Sequence, residues 1–193
     1  MSKMKNQAIR TFLAVPLTSE LSGSVGRLQK TLSSRIEGVR WVKSDNLHLT
    51  LFFFGPTTQE DLEKIKVSML SVERVERSFE VAVDGLGAFP NLRRPRVLWL
   101  GLTPEEPLRE LFRACRAALQ ATGYSPEARS FAPHLTIGRI RQNRSDLTSL
   151  AQDSVPHGIG RLPVTELILY ESRLHQRGAE HIPLHAVELS GRN

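Results

Sequence analysis

The pattern His-Φ-Thr-Φ, with Φ an aliphatic residue, occurs twice, as His48-Leu49-Thr50-Leu51 and His134-Leu135-Thr136-Ile137. One copy lies in each half of a 193-residue chain. An imidazole exchanges a proton near neutral pH, and a hydroxyl can hydrogen-bond a phosphate oxygen. Two copies point to a duplicated unit that brings two histidines and two hydroxyls to a shared cleft. That set of groups can run metal-free acid–base chemistry on a phosphate ester. In a strand, successive side chains alternate faces. His48 and Thr50 then point one way, and Leu47, Leu49 and Leu51 point into a core. His134 and Thr136 share a face in the same manner, with Leu135 and Ile137 behind them.

Other chemistries fit the residues less well. Asp45 precedes His48 by three residues, but nothing comparable precedes His134. Two histidines without a carboxylate partner make a poor first shell, so no metal is expected. Cys115 is the single cysteine, which excludes an internal disulfide and a Cys-based metal site. Its place in the series Leu108, Leu111, Phe112, Cys115, Leu119 predicts a buried helix position. There is no Gly-x-Ser-x-Gly, no Walker A motif, and no third glycine after Gly85-Leu86-Gly87, so no cofactor is expected. His157, His175, His181 and His185 have no repeated context and read as surface or packing residues.

The elements that must position the motifs follow from periodicity and punctuation. Strands are predicted at Ile9–Val15, Val39–Val42, Leu47–Phe54, Phe79–Val83, Val97–Leu102, His134–Ile140, Leu162–Tyr170 and His181–Leu189, the last two as a hairpin. Gly55-Pro56 ends the third strand, and Gly85 and Gly87 read as a loop. Thr18 or Ser19 can cap a helix carrying Leu21, Val25, Leu28 and Leu32. Thr58 can cap another carrying Leu62, Ile65 and Met69. A third helix is predicted from Glu105 to Thr122 and a short one from Asp146 to Ala151. Strands arrive in adjacent pairs between helices, which favours antiparallel sheets. No low-complexity linker divides the chain, so residues 1–193 are expected to form a single bilobal domain.

The formal net charge is +6, carried by twenty Arg and six Lys against twenty acidic residues. Arg forks match phosphate oxygens in pairs, so the skew suggests a polyanionic partner, RNA or a nucleotide. Arg93, Arg94 and Arg96 form a basic knot that could touch backbone phosphates. No run approaches eighteen apolar residues and no secretory leader is visible, so the protein is expected to be cytoplasmic, without a membrane.

The chain resembles the two-histidine phosphoesterase superfamily, and within it the RNA 2′,3′-cyclic phosphodiesterases, once named 2′-5′ RNA ligases. The supporting stretches are Arg10–Val15, Arg40-Trp41-Val42, Asn46–Leu51, Gly85–Pro90, Pro95–Leu100, Phe131–Arg139 and Leu169–Leu174. Phe52-Phe53-Phe54-Gly55 is more aromatic than the usual continuation of the first motif. The resemblance implies an α+β bilobal fold: two mainly antiparallel sheets flank a central cleft about a pseudo-twofold axis, with helices outside. It implies hydrolysis of a ribose 2′,3′-cyclic phosphate, on RNA ends or nucleotides, to a 2′-phosphate, with weak 2′-5′ joining as a side activity. His48 is then the proton donor and His134 the acceptor, an assignment the residues alone leave open. Thr50 and Thr136 would hydrogen-bond the phosphate oxygens, and Arg139 would add charge. Strict alternation puts Arg139 on the face opposite His134, so it reaches the phosphate only if the strand ends or bends. A monomer is expected. The alternatives are an RNA-binding module without catalysis and a phosphodiesterase acting on 2′-5′-linked oligonucleotides.

Overall fold

A computed structural model describes residues 8–127, 130–141, 146–153, 158–176 and 178–189, with 151–153 as backbone. The chain order is β1 (Ile9–Pro16), α1 (Ser19–Ser33), β2 (Val39–Trp41), a 3-10 turn (Ser44–Asn46), β3 (His48–Thr57), α2 (Gln59–Val75), β4 (Phe79–Phe89), β5 (Val97–Thr103), α3 (Glu106–Ala121), β6 (Leu135–Ile140), α4 (Thr148–Asp153), β7 (Gly160–Val164), β8 (Glu166–His175) and β9 (Gly178–Glu188). Thr18 and Thr58 cap α1 and α2, their hydroxyls accepting from the amides of Leu21 at 3.2 Å and Asp61 at 3.1 Å. The apolar series expected on the three long helices is buried, including Cys115 on α3, except that Phe112 is half-buried.

Among the described residues two sheets form, both antiparallel. One has the order β3-β1-β8-β9 and the other β2-β6-β5-β4-β7. The expected α+β class with two antiparallel sheets is therefore present. Neither sheet is a half of the chain, however. β2 crosses to the second sheet, and β8 and β9 return to the first, so both ends of the sequence build the sheet that carries His48. One continuous core of aliphatic residues runs behind both sheets.

β9 begins at Gly178 rather than His181, α4 runs Thr148–Asp153 rather than from Asp146, and β6 begins just after His134. Three further departures have a visible physical cause. β4 continues through Gly85 and Gly87 to Phe89, because Gly85 (φ 69°) supplies a bulge against β5, and Gly87 leaves room for the Trp99 ring. A Cβ on Gly87 would stand 2.2 Å from that ring. β3 passes Gly55 and Pro56 to reach Thr57, since β3 is an edge strand and a proline there breaks no ladder bond. The predicted strand 162–170 is two strands. Leu162 and Val164 are buried in one sheet and Leu167 and Leu169 in the other, so the buried phase slips by one at Thr165.

Candidate active site

A cleft of about 620 Å³ is lined by His48, Thr50, His134, Thr136 and Arg139, all five residues that the sequence singles out. His48 opens β3 in one sheet, and His134 immediately precedes β6 in the other. Both imidazoles are fixed by one device. His48 Nδ1 lies 2.9 Å from the Asn46 carbonyl oxygen, and His134 Nδ1 lies 2.7 Å from that of Ala132. A carbonyl only accepts, so each Nδ1 carries hydrogen and donates it. Nε2 of each ring is left for the cleft. The two-residue offset is the same in both motifs, which extends the sequence repeat to the level of tautomers. Arg109 on α3 donates to the Phe131 carbonyl at 2.9 Å, and Phe131 stacks on Phe112, which holds the segment leading to His134.

Each motif strand carries one extra residue directly after its threonine. On β3, Thr50 pairs with Ala14 and Phe52 with Leu13, so Leu51 is bulged. On β6, Thr136 pairs with Trp99 and Gly138 with Leu98, so Ile137 is bulged. The extra residue shifts the alternation by one. Arg139 then pairs with Val97, on the face of Trp99 and Thr136, and so enters the cleft. The equivalent position on β3 is Phe53, which also lines the cleft and is half exposed. The buried Gln29 of α1 donates to the Ile137 carbonyl and the Val42 carbonyl, both at 2.9 Å. The Ile137 carbonyl also accepts from the Val42 amide at 3.0 Å, so Gln29 ties the bulged residue to the end of β2.

The two histidines differ in surroundings. His48 stacks on Phe12 at 4.7 Å, with Tyr170 at 6.4 Å and His181 edge-on at 5.1 Å. Burial, reinforced by the His181 imidazole, lowers its pKa to about 4, against an opposing pull from the Asn46 carbonyl. His48 is therefore neutral in the empty cleft at neutral pH. His134 meets Phe89 edge-on at 4.9 Å and Trp99 at 6.3 Å.

The structure also brings in residues that the sequence reading set aside. His181, read as surface or packing, lies in the cleft against Phe12 and His48, and burial lowers its pKa. His175 lines the cleft edge and contacts Glu180. His185 is buried in part on β9, and His157 lies outside the described residues. Arg93 and Arg94 sit in the β4–β5 turn, their amides bonded to Asn91 Oδ1, and with Arg96 they stay out of the cleft. His181 lies opposite Ser172 on the β8–β9 pair, and no repeated pattern in the sequence marks it. Among the described residues no three His, Cys, Asp or Glu side chains gather where they could hold a metal ion, and no helix is long and apolar enough to cross a membrane.

Known proteins share this fold. The profile of the family described as LigT like Phosphoesterase matches residues 15–99 and 100–179. The RNA 2′,3′-cyclic phosphodiesterase of Methanothermobacter thermautotrophicus is 37% identical over 172 residues, which span 88% of this chain and 93% of that protein. The crystal structure of TT0787 of Thermus thermophilus superposes with a TM-score of 0.78 at 27% identity, covering 96% of this chain and 100% of that one. The crystal structure of E. coli LigT complexed with 3′-AMP superposes with a TM-score of 0.73 at 28% identity, covering 95% and 99%. With its paired histidines and two-sheet fold, the chain belongs to the LigT-like phosphoesterase family.

Proposed function

We propose that this protein hydrolyses a ribose 2′,3′-cyclic phosphate, at an RNA end or on a nucleotide, to the 2′-phosphate without a metal. The observation that carries the reading is the pair of Nδ1-anchored histidines presenting Nε2 to one cleft. Water attacks phosphorus in line with O3′. The water–phosphorus bond forms as the phosphorus–O3′ bond breaks. His134 Nε2 takes the proton of water, and His48 Nε2–H gives one to O3′. The products are a 2′-phosphate and a free 3′-hydroxyl, and the two imidazoles return to their starting states through solvent. Thr50 and Thr136 donate to the non-bridging oxygens, where charge develops, and Arg139 adds positive charge beside them. A 5′-hydroxyl in place of water gives a 2′-5′ linkage by the same displacement, which accounts for weak joining activity. One chain supplies both histidines, so we read the protein as a monomer and residues 1–193 as one bilobal unit.

His48→Ala and His134→Ala are expected to fold and to lose roughly 10²–10⁴ in rate, the usual contribution of one general acid or base. The check is kcat on a nucleoside 2′,3′-cyclic phosphate beside a thermal melt. Near-normal turnover in either folded variant would overturn the mechanism and leave the cleft a binding site only.

A further inference from the structure

The strands β3 and β9 are opposite edges of their sheet, with β1 and β8 between them. At a spacing of about 4.8 Å per strand, a flat sheet would hold these edges roughly 14 Å apart. The rings of His48 on β3 and His181 on β9 nevertheless stand 5.1 Å apart, with the Phe12 ring of β1 against both. The sheet is therefore curled, and a hydrogen bond joins its ends. The Asn46 side-chain amide donates to the Ala179 carbonyl at 2.7 Å, between residues 133 apart in sequence. Asn46 stands two residues before His48, and Ala179 two residues before His181.

The same residue anchors the imidazole of His48, whose Nδ1 donates to the Asn46 carbonyl at 2.9 Å. That carbonyl closes a 3-10 turn, Ser44–Asn46, which has no buried residue and no side-chain cap. The backbone bonds of the turn are local, from the Asn46 amide to the Lys43 carbonyl at 2.9 Å and from the Leu47 amide to the Ser44 carbonyl at 3.1 Å. The tie to Ala179 adds a long-range one. The His134 anchor is steadied by other means, since the segment that carries the Ala132 carbonyl is held by Arg109 and by the stacked Phe131 ring. The Asn46 side chain does for one histidine what Arg109 and Phe131 do for the other.

We propose that Asn46 is a positioning residue: its side chain clasps the two edges of the curled sheet, and its carbonyl thereby holds His48 with hydrogen on Nδ1 and Nε2 toward the cleft. Which nitrogen of a neutral imidazole carries hydrogen is set by the bonds the ring makes. Without the clasp the turn loosens, the hydrogen moves to Nε2 and the ring turns from the phosphate. The expected effect on rate rests on the hydrolysis proposed above, whereas the effect on the ring does not.

The test reads the ring directly. Long-range proton–nitrogen NMR spectra are recorded for wild type, Asn46→Ala and the isosteric Asn46→Asp, in mildly alkaline solution where imidazoles are neutral. His134 is the internal control, because its anchor does not involve Asn46. Wild type is expected to show both rings with hydrogen on Nδ1. Both variants are expected to shift His48 toward the Nε2–H form and to leave His134 unchanged. On a nucleoside 2′,3′-cyclic phosphate, kcat is expected to fall roughly 10–10²-fold, the effect of a catalytic group misplaced by about an ångström, with KM nearly constant. A His48 ring that keeps hydrogen on Nδ1 in both folded variants overturns the inference, and a raised KM would then make Asn46 a substrate contact. A wild-type ring in Asn46→Asp alone also overturns it, since size rather than the donated bond would hold the turn. Wild type supplies a measurement that needs no variant: one Asn46 side-chain amide proton is expected to exchange slowly with solvent, and fast exchange of both overturns the clasp. If wild type does not turn over the cyclic phosphate, the hydrolysis falls and the spectra still decide the inference.

Discussion

The two histidines have the same anchor but different surroundings, and those of His48 set what it must do. His48 is held at a pKa of about 4, below the free value of 6.5, because it is stacked on Phe12 and faced by His181. To act as donor it must gain a proton when the substrate arrives, and a phosphate anion supplies the driving force by favouring the charged ring. In NMR titration the His48 ring is expected to titrate near pH 4 in the empty protein and at higher pH with sulfate bound. An unshifted His48 would reverse the donor and acceptor roles. The same depression has a stability consequence. Between pH 6.5 and about 4 the unfolded chain binds a proton here that the folded one does not, so stability falls as pH drops through that window. His48→Gln should flatten this fall in urea denaturation series at pH 7 and pH 5, and an unchanged slope would place the cause elsewhere. The hydroxyls are the simpler case. Thr50→Val and Thr136→Val each remove a hydrogen bond to a charged group, about 1.5–3 kcal/mol, and kcat should fall accordingly. Unchanged kinetics in both would mean that the hydroxyls face away from substrate. The motif residues themselves were legible because each stands in a strand or immediately before its first residue, with a repeated context. His181 was not, because a lone histidine on a strand carries no pattern and only the return of β9 to the first sheet brings it against His48.

Elements place these residues through their irregularities. The helices and most strands follow directly from periodicity, caps and glycines. Strict alternation misplaced Arg139, and the bulge at Ile137 puts it back in the cleft. Gly138, a glycine inside a strand, is the sign that was available. The split at Thr165 was also legible, as a slip in apolar phase, whereas the pairing of β7 with β4 and of β8 with β1 depends on contacts between distant segments. Gln29 is a polar residue on an otherwise apolar helix face, and its purpose appears only in the fold. Gln29→Leu should leave the carbonyls of Ile137 and Val42 without that donor. The expected cost is about 1–3 kcal/mol in denaturant unfolding, together with a lower kcat as the bulge that aims Arg139 loosens. A stable variant with full activity would show that the bulge needs no such clamp.

At the scale of the molecule, the chain folds so that neither sheet belongs to one half of the sequence, and the cleft between them joins an imidazole from each. Such an arrangement would let acid and base stand on opposite sides of one phosphate, each supplied by one copy of a four-residue motif. The cleft offers imidazoles, hydroxyls and cationic side chains, and the central claim is that these alone perform the chemistry. The most direct test is to incubate the EDTA-treated protein with a nucleoside 2′,3′-cyclic phosphate and identify the product isomer. The account predicts full activity in EDTA and the 2′-phosphate as product. Formation of the 3′-phosphate, or activity lost to EDTA and restored by a divalent ion, would contradict it.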